Sequence, residues 1–264
     1  MIGKQGSYTV VTGASSGIGY ETAKAFAARG RNLIVTARRR ERLETLRQEI
    51  LAEGRDIDIV VKTADLSRPE EAYRLYRELR EYPLETWINS AGIGNYGTAA
   101  EQNLQKIETM LRLNVTALTL LSSLFVRDYK DVPGTQLINV SSCGGYIIVP
   151  DAVTYCAAKF YVSSFTEGLD RELRDIGANM RAKVFAPAAT KTEFGKVANN
   201  VGEYDYDQLF GTYHTSRQAA AYLLELYDSD CAVGLVDRET FSFQLMGPKF
   251  PYAGDSQHNQ RLVK

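Results

Sequence analysis

Short apolar runs alternate with longer helix-period stretches along almost the whole chain, and this alternation limits the fold more than any single motif. Tyr8 to Val11, Leu33 to Thr36, Ile57 to Val61, Trp87 to Asn89, Leu137 to Val140, Arg181 to Ala186 and Phe241 to Leu245 read as strands. Helix patterns separate them at Gly17 to Ala28, Arg39 to Ala52, Pro69 to Tyr82, Leu113 to Tyr129, Val153 to Ile176 and Gln218 to Tyr227. The first helix aligns Ile18, Ala23, Phe26 and Ala27; the second aligns Leu43, Leu46, Ile50 and Leu51 and stops at Gly54. Ser67 is expected to cap the third, which ends before Pro83. Strands joined through helices run parallel, and right-handed crossovers place helices on both faces of the sheet. The expectation is an α/β fold built on a single doubly wound parallel sheet.

The chain has 264 residues, a length that fits one large α/β domain or two small ones. Lys and Arg total 31 against 32 Asp and Glu, a net charge of −1. No global basic field exists for a nucleic acid, so none is expected as a partner. Cys143, Cys156 and Cys231 are odd in number and form no CxxC pair. A reducing, cytoplasmic location follows as the expectation. His214 and His258 make no His-rich cluster, and no metal is expected. The start, MIGKQGSYTVVTG, lacks a long apolar leader. No run of about 18 apolar residues is evident, so no membrane partner is expected.

Thr12-Gly13-Ala14-Ser15-Ser16-Gly17-Ile18-Gly19 lies between the first strand and the first helix. A helix start offers N–H groups and a dipole to an anion, which suits a dinucleotide pyrophosphate. Gly13 permits the tight turn, Gly17 permits close backbone approach, and Gly19 permits helix packing on the sheet. After the second strand comes Ala37-Arg38-Arg39-Arg40, with no carboxylate until Glu41. An NAD-selective site carries an acidic residue there. A guanidinium suits a 2′-phosphate instead, with Arg38 the best candidate. NADP(H) is the preferred cofactor, with NAD(H) an alternative.

Tyr155-Cys156-Ala157-Ala158-Lys159 sets a phenol and an ammonium one helical turn apart. A neighbouring cation favours phenolate and would lower the tyrosine pKa, allowing proton exchange near neutrality. Ser142 follows a buried strand, Asn114 opens a long apolar helix, and Asn89 ends a strand. Ligands of open α/β sheets bind at the carboxyl ends of the strands.

Taken together, these motifs resemble the short-chain dehydrogenase/reductase family over roughly residues 7 to 245, with a Rossmann-like fold. Asn89-Ser90-Ala91-Gly92 is similar to the family's N-N-A-G motif with Ser90 replacing the second Asn. Asn114, Ser142, Tyr155 and Lys159 match its catalytic tetrad in order and spacing. The resemblance implies that Tyr155 donates a proton to a carbonyl oxygen, which Ser142 also hydrogen-bonds. Lys159 would bind the nicotinamide ribose and lower the Tyr155 pKa, and Asn114 would hold a relay water. It implies cofactor contacts from Gly13, Ser15, Ser16, Gly17, Ile18, Gly19, Arg38, Asp65, Leu66, Asn89, Ala91, Gly92, Pro187 and Thr192, beside Tyr155 and Lys159. Two departures stand out: Pro187-Ala188 replaces the family's P-G, and Ser16 stands where some NADP-selective members carry Lys or Arg.

The motif positions favour one domain over residues 1–264, and the resemblance implies a substrate lid over about 193–215. That segment carries Phe194, Tyr204, Tyr206, Phe210, Tyr213 and His214. It suggests an apolar carbonyl or alcohol substrate, although aromatics packed on their own core explain the same residues. Tyr96 and Tyr146 are further pocket candidates, and Cys143 and Cys156 read as small buried side chains. The expected reaction interconverts a carbonyl and an alcohol by hydride transfer. A 3-oxoacyl-carrier-protein reductase and a non-catalytic NADP-sensing protein are the alternatives. Family members often pair long helices across two-fold axes, so a homodimer or homotetramer is expected.

Overall fold

The computed structural model describes residues 6–253. His258, the end of the C-terminal tail and the first five residues of the N-terminal run lie outside the described residues. The elements follow in chain order: β1 (Tyr8–Thr12), α1 (Gly17–Ala28), β2 (Asn32–Ala37), α2 (Arg40–Ala52), β3 (Ile59–Thr63), α3 (Pro69–Leu79) and β4 (Leu84–Asn89). Next come α4 (Leu104–Leu111), a π-helical turn (Arg112–Ala117), α5 (Leu118–Tyr129), β5 (Gln136–Val140), a 3₁₀ turn (Cys143–Gly145), α6 (Val153–Asp175) and β6 (Arg181–Ala186). The chain continues with β7 (Thr190–Lys191), α7 (Phe194–Asn199), α8 (Tyr206–Leu209), β8 (His214–Thr215), α9 (Ser216–Asp228), β9 (Val233–Val236) and β10 (Phe243–Met246).

Among the described residues, eight strands form one sheet in the order β10-β9-β6-β5-β4-β1-β2-β3. Each pairing is parallel except that of β9 with β10. The parallel sheet expected from the alternation is therefore mixed at one edge. Only a short turn joins β9 to β10, and a short connection returns the chain antiparallel. The strand order reverses between β1 and β4, which opens a crevice at their carboxyl ends.

Both faces of the sheet are covered, which is why its strands are continuously apolar. Successive residues point to opposite faces. Val11, Leu33, Val35, Ile88 and Ile138 pack with Phe26, Leu43 and Leu223 of α1, α2 and α9. Val10, Ile34, Trp87 and Leu137 pack with Leu75, Phe125 and Leu173 of α3, α5 and α6.

The helix expected to open at Leu113 begins at Leu104, where the Asn103 side chain caps the Lys106 N–H at 3.0 Å. Polar residues in its first turns hide its period from a hydrophobicity reading. The joined run Leu104–Tyr129 has the length and composition to cross a membrane, contrary to the expectation of no such stretch. Here Met110, Leu118, Leu121 and Phe125 of that run are buried in the protein. Ser67 does not cap α3; its hydroxyl donates to Asp65 Oδ1 at 2.7 Å and Arg68 takes the cap position. Part of the tail after Gly247 packs on α6. Glu167 Oε2 accepts from the backbone N–H groups of Lys249 and Phe250 at 2.7 and 2.9 Å.

Candidate active site

Thr12 closes β1 with a hydroxyl that accepts from the backbone N–H groups of Ser90 and Ala91, at 3.0 and 3.1 Å. This ties the end of β1 to the turn after β4. Gly13 then bends away at φ +70°, and a Cβ there would stand 2.7 Å from Ala91 Cα. Ser16 is the extended N-cap of α1, and no acidic residue occupies the first turn of that helix. Both features leave the helix start suited to an anion. Gly17, at φ +59°, leaves the space into which the Thr192 methyl packs. A cleft of about 580 Å³ runs from this turn across the carboxyl edge of the sheet.

At the far side of the switch point, Ser142 follows β5 and caps the 3₁₀ turn, its Oγ accepting from the Gly144 N–H at 3.1 Å. Tyr155 and Lys159 occupy successive turns of α6, and both are buried. The Lys159 ammonium donates to the Val140 carbonyl at 2.9 Å and lies 5.8 Å from the Tyr155 ring centre. Burial lowers the Lys159 pKa to about 8. Burial also raises the Tyr155 pKa well above its ordinary value, while a hydrogen bond with Ser142 opposes the rise. The expected depression of that phenol by Lys159 is not what this arrangement produces. Desolvation by burial is the largest influence on the phenol and favours its protonated form.

Asn114 lies in the π-helical turn. Its amide donates to the Ile93 carbonyl at 2.8 Å and accepts from the Ile93 N–H at 3.0 Å. A Cβ on Gly92 would sit 3.2 Å from Asn114 Oδ1, so Gly92 leaves room for the Asn114 amide. Asn114 itself stands behind the cleft wall.

Gly13, Ser15, Ser16, Gly17, Ile18, Gly19, Arg38, Asp65, Leu66, Ala91, Gly92, Pro187 and Thr192 all line the cleft with Ser142, Tyr155 and Lys159. Asn89 does not. Its side chain faces the core, where it accepts from Trp87 Nε1 at 2.9 Å and donates to Asn139 and Ser122. Its place on β4 turns it inward, away from any ligand in the crevice. Asp65 also lines the cleft, with Oδ1 engaged by Ser67.

Other residues of the site escape a motif reading. Arg39 donates to Ser15 Oγ at 3.2 Å and to Glu193 Oε2 at 2.8 Å, spanning the cleft's edge. Arg40 faces solvent and pairs with Glu44. Val149, Arg238 and Phe241 join the lining from loops that carry no recognisable motif. Segment 193–215 leaves and rejoins the body through the two-stranded β7–β8 ribbon. Within it, Tyr204, Tyr206 and Phe210 pack on one another with ring centres 5.0 to 6.4 Å apart. The same three residues line the cleft, so the pocket and self-packing readings of these aromatics coexist.

Residues 7–201 match the model of the short chain dehydrogenase family. The chain belongs to the short-chain dehydrogenase/reductase family. Sulfoacetaldehyde reductase of Chromohalobacter salexigens is 32% identical over 211 residues, covering 76% of this chain and 79% of that protein. Dehydrogenase/reductase SDR family member 11 of Homo sapiens is 29% identical over 210 residues, covering 77% and 80%. Among solved structures, a short-chain dehydrogenase from Sphingobium yanoikuyae in complex with NADPH superposes with a TM-score of 0.78 at 29% identity, covering 86% of each chain. The bulky-bulky ketone specific alcohol dehydrogenase from Comamonas testosteroni gives 0.74 at 27% identity, covering 87% and 86%. This short-chain dehydrogenase/reductase is thus an oxidoreductase with a Rossmann-like fold.

Proposed function

We propose that this enzyme interconverts a carbonyl and an alcohol with NADP(H), using Tyr155 as the proton donor and acceptor. One observation carries the reading: a buried phenol, a serine hydroxyl and a lysine side chain meet in the cleft that begins at the glycine turn of α1. The fit to a dinucleotide rests on the cradle at Gly13 and Gly17, where side chains would collide with Ala91 and Thr192. The nicotinamide, when bound, supplies or accepts the hydride. Ser142 and Tyr155 orient the substrate oxygen, and Tyr155 gives it a proton as negative charge develops there. Lys159 holds a positive charge behind the phenol and favours its deprotonated form once the proton has left. Asn114 fixes the Ile93 backbone beside this ammonium. The lid over 193–215 covers the substrate with aromatic side chains.

Arg38 and Arg39 support a 2′-phosphate, as does the NADPH bound to the Sphingobium yanoikuyae neighbour. The outer side of α6 exposes Val153 and Tyr161, which supports pairing with a second copy there; a monomer by light scattering would remove that part. The central test is Tyr155→Phe. Turnover should fall by roughly 10²–10⁴-fold, while NADPH fluorescence still reports binding. Near-normal turnover would show that Tyr155 is not the acid. NADPH should bind more tightly than NADH, and Arg38→Asp should narrow the gap; equal affinities in the unmodified enzyme would remove the NADP preference.

A further inference from the structure

Most of the substrate half of the cleft is walled by aromatic and aliphatic groups, including Tyr96, Val149, Phe194 and Phe241. The lining also includes the guanidinium of Arg238. Arg238 lies on the turn after β9, which is next to β6 and on the opposite side of the switch point from Arg38. Of the acidic residues that line the cleft, Glu193 is paired with Arg39 and Asp65 lies just after β3. Arg238 forms no ion pair or hydrogen bond among the described residues.

The turn that carries it is firmly built. Asp237 Oδ1 accepts from the Glu239 and Thr240 N–H groups at 3.0 and 2.8 Å, and from the Thr240 hydroxyl at 2.9 Å. The Asp237 N–H donates to the Ser242 carbonyl at 2.9 Å, and Phe241 takes a left-handed φ of +54°. The guanidinium is close enough to Cys143, the neighbour of Ser142, to favour the thiolate there, although burial dominates that thiol and raises its pKa. Arg238 is solvent-exposed at the cleft, so its selectivity for an anion rests on its planar fork, which matches a carboxylate.

We propose that Arg238 is a substrate-specificity residue, and that the substrate is an apolar or aromatic carbonyl compound bearing a carboxylate remote from the reacting carbon. The proposal rests on the carbonyl-reductase reading of the same cleft. The apolar wall holds the body of the substrate, and Arg238 holds its charged end. Fixing both ends sets the carbonyl against Ser142 and Tyr155, which a purely apolar pocket does less selectively.

The test compares 4-acetylbenzoate with its neutral methyl ester, following NADPH oxidation. The enzyme should favour the acid by about tenfold in kcat/KM, Arg238→Gln should bring that ratio to about one, and Arg238→Lys should retain part of it. A ratio near one in the unmodified enzyme, or one unaltered in Arg238→Gln, would overturn the proposal. A second readout needs no turnover: calorimetric titration of 4-acetylbenzoate into NADPH-saturated Tyr155→Phe, with and without Arg238→Gln. Arg238-dependent binding there without turnover of either ketone by the unmodified enzyme would sustain the anion site and sink the reductase reading. Turnover of both ketones with no Arg238-dependent binding would do the reverse.

Discussion

Tyr155 and Lys159 share one wall of the cleft, yet burial moves their protons in opposite senses. The phenol is pushed up and stays protonated, while the ammonium is pulled to about 8. A protonated phenol is ready to reduce a carbonyl, whereas oxidation needs it deprotonated. Alcohol oxidation should therefore have a higher pH optimum than carbonyl reduction, as initial-rate profiles in both directions would reveal; coincident optima would count against Tyr155 as the exchanging group. The spacing of these two residues was legible in the sequence because a helix places i and i+4 on one side. Their desolvation was not, because it depends on what the rest of the chain packs around them. Asn89 is the plainest case of the same limit, since a strand-end side chain faces crevice or core according to the pleat. Asn89→Ala should cost about 2–3 kcal/mol by stripping partners from Trp87 and Asn139. It should lower the melting temperature and leave the NADPH dissociation constant within about twofold.

At the scale of elements, the alternation revealed the parallel strands and their helices, because a buried strand and an amphipathic helix have different periods. It did not reveal β9, whose four residues are too short to show a period, or α4, whose early turns are polar. It also gave no sign of the π-helical turn that carries Asn114. Another hidden device joins β6 to α9. Lys183 is buried on β6, and its ammonium donates to the carbonyls of Leu226, Tyr227 and Ser229 at 3.0, 2.9 and 2.5 Å. These carbonyls end α9, where a cation also complements the helix dipole. Burial lowers the Lys183 pKa to about 8. The unfolded chain therefore holds more protons than the folded one between about pH 8 and the ordinary lysine range near 10.4. The desolvation penalty is fully present below about 8 and is relieved as the pH rises through that window. Relative to Lys183→Met, the unmodified protein should gain stability from pH 8 to 10. Parallel melting curves across that range would show no such burial shift.

For the whole molecule, the relevant contact is the one that ties the segment over 193–215 to the opposite edge of the cleft. Glu193 meets Arg39 at 2.8 Å and Arg42 at 3.8 Å, linking the loop after β7 to the start of α2. Each pair is partly exposed and worth little alone, but together they bridge two regions far apart in sequence. Glu193→Gln should loosen the segment, and tryptic cleavage after the exposed Lys196 should accelerate by severalfold in the cofactor-free protein. An unchanged cleavage rate would show that the aromatic packing of Tyr204, Tyr206 and Phe210 holds the segment unaided. The aromatics were evident from sequence, but the bridge was not, because nothing in either stretch names its distant partner.

The strand order has a consequence for how the chain is made. β1, β2 and β3 are neighbours in both sequence and space, so the first three strands can associate as soon as they emerge. β1 must nevertheless wait for β4, which begins at Leu84, before its second edge is covered. Until then the nascent chain presents an apolar strand with open backbone groups, a surface prone to wrong pairing. That edge later forms one side of the crevice, and slow translation ahead of β4 would prolong its exposure.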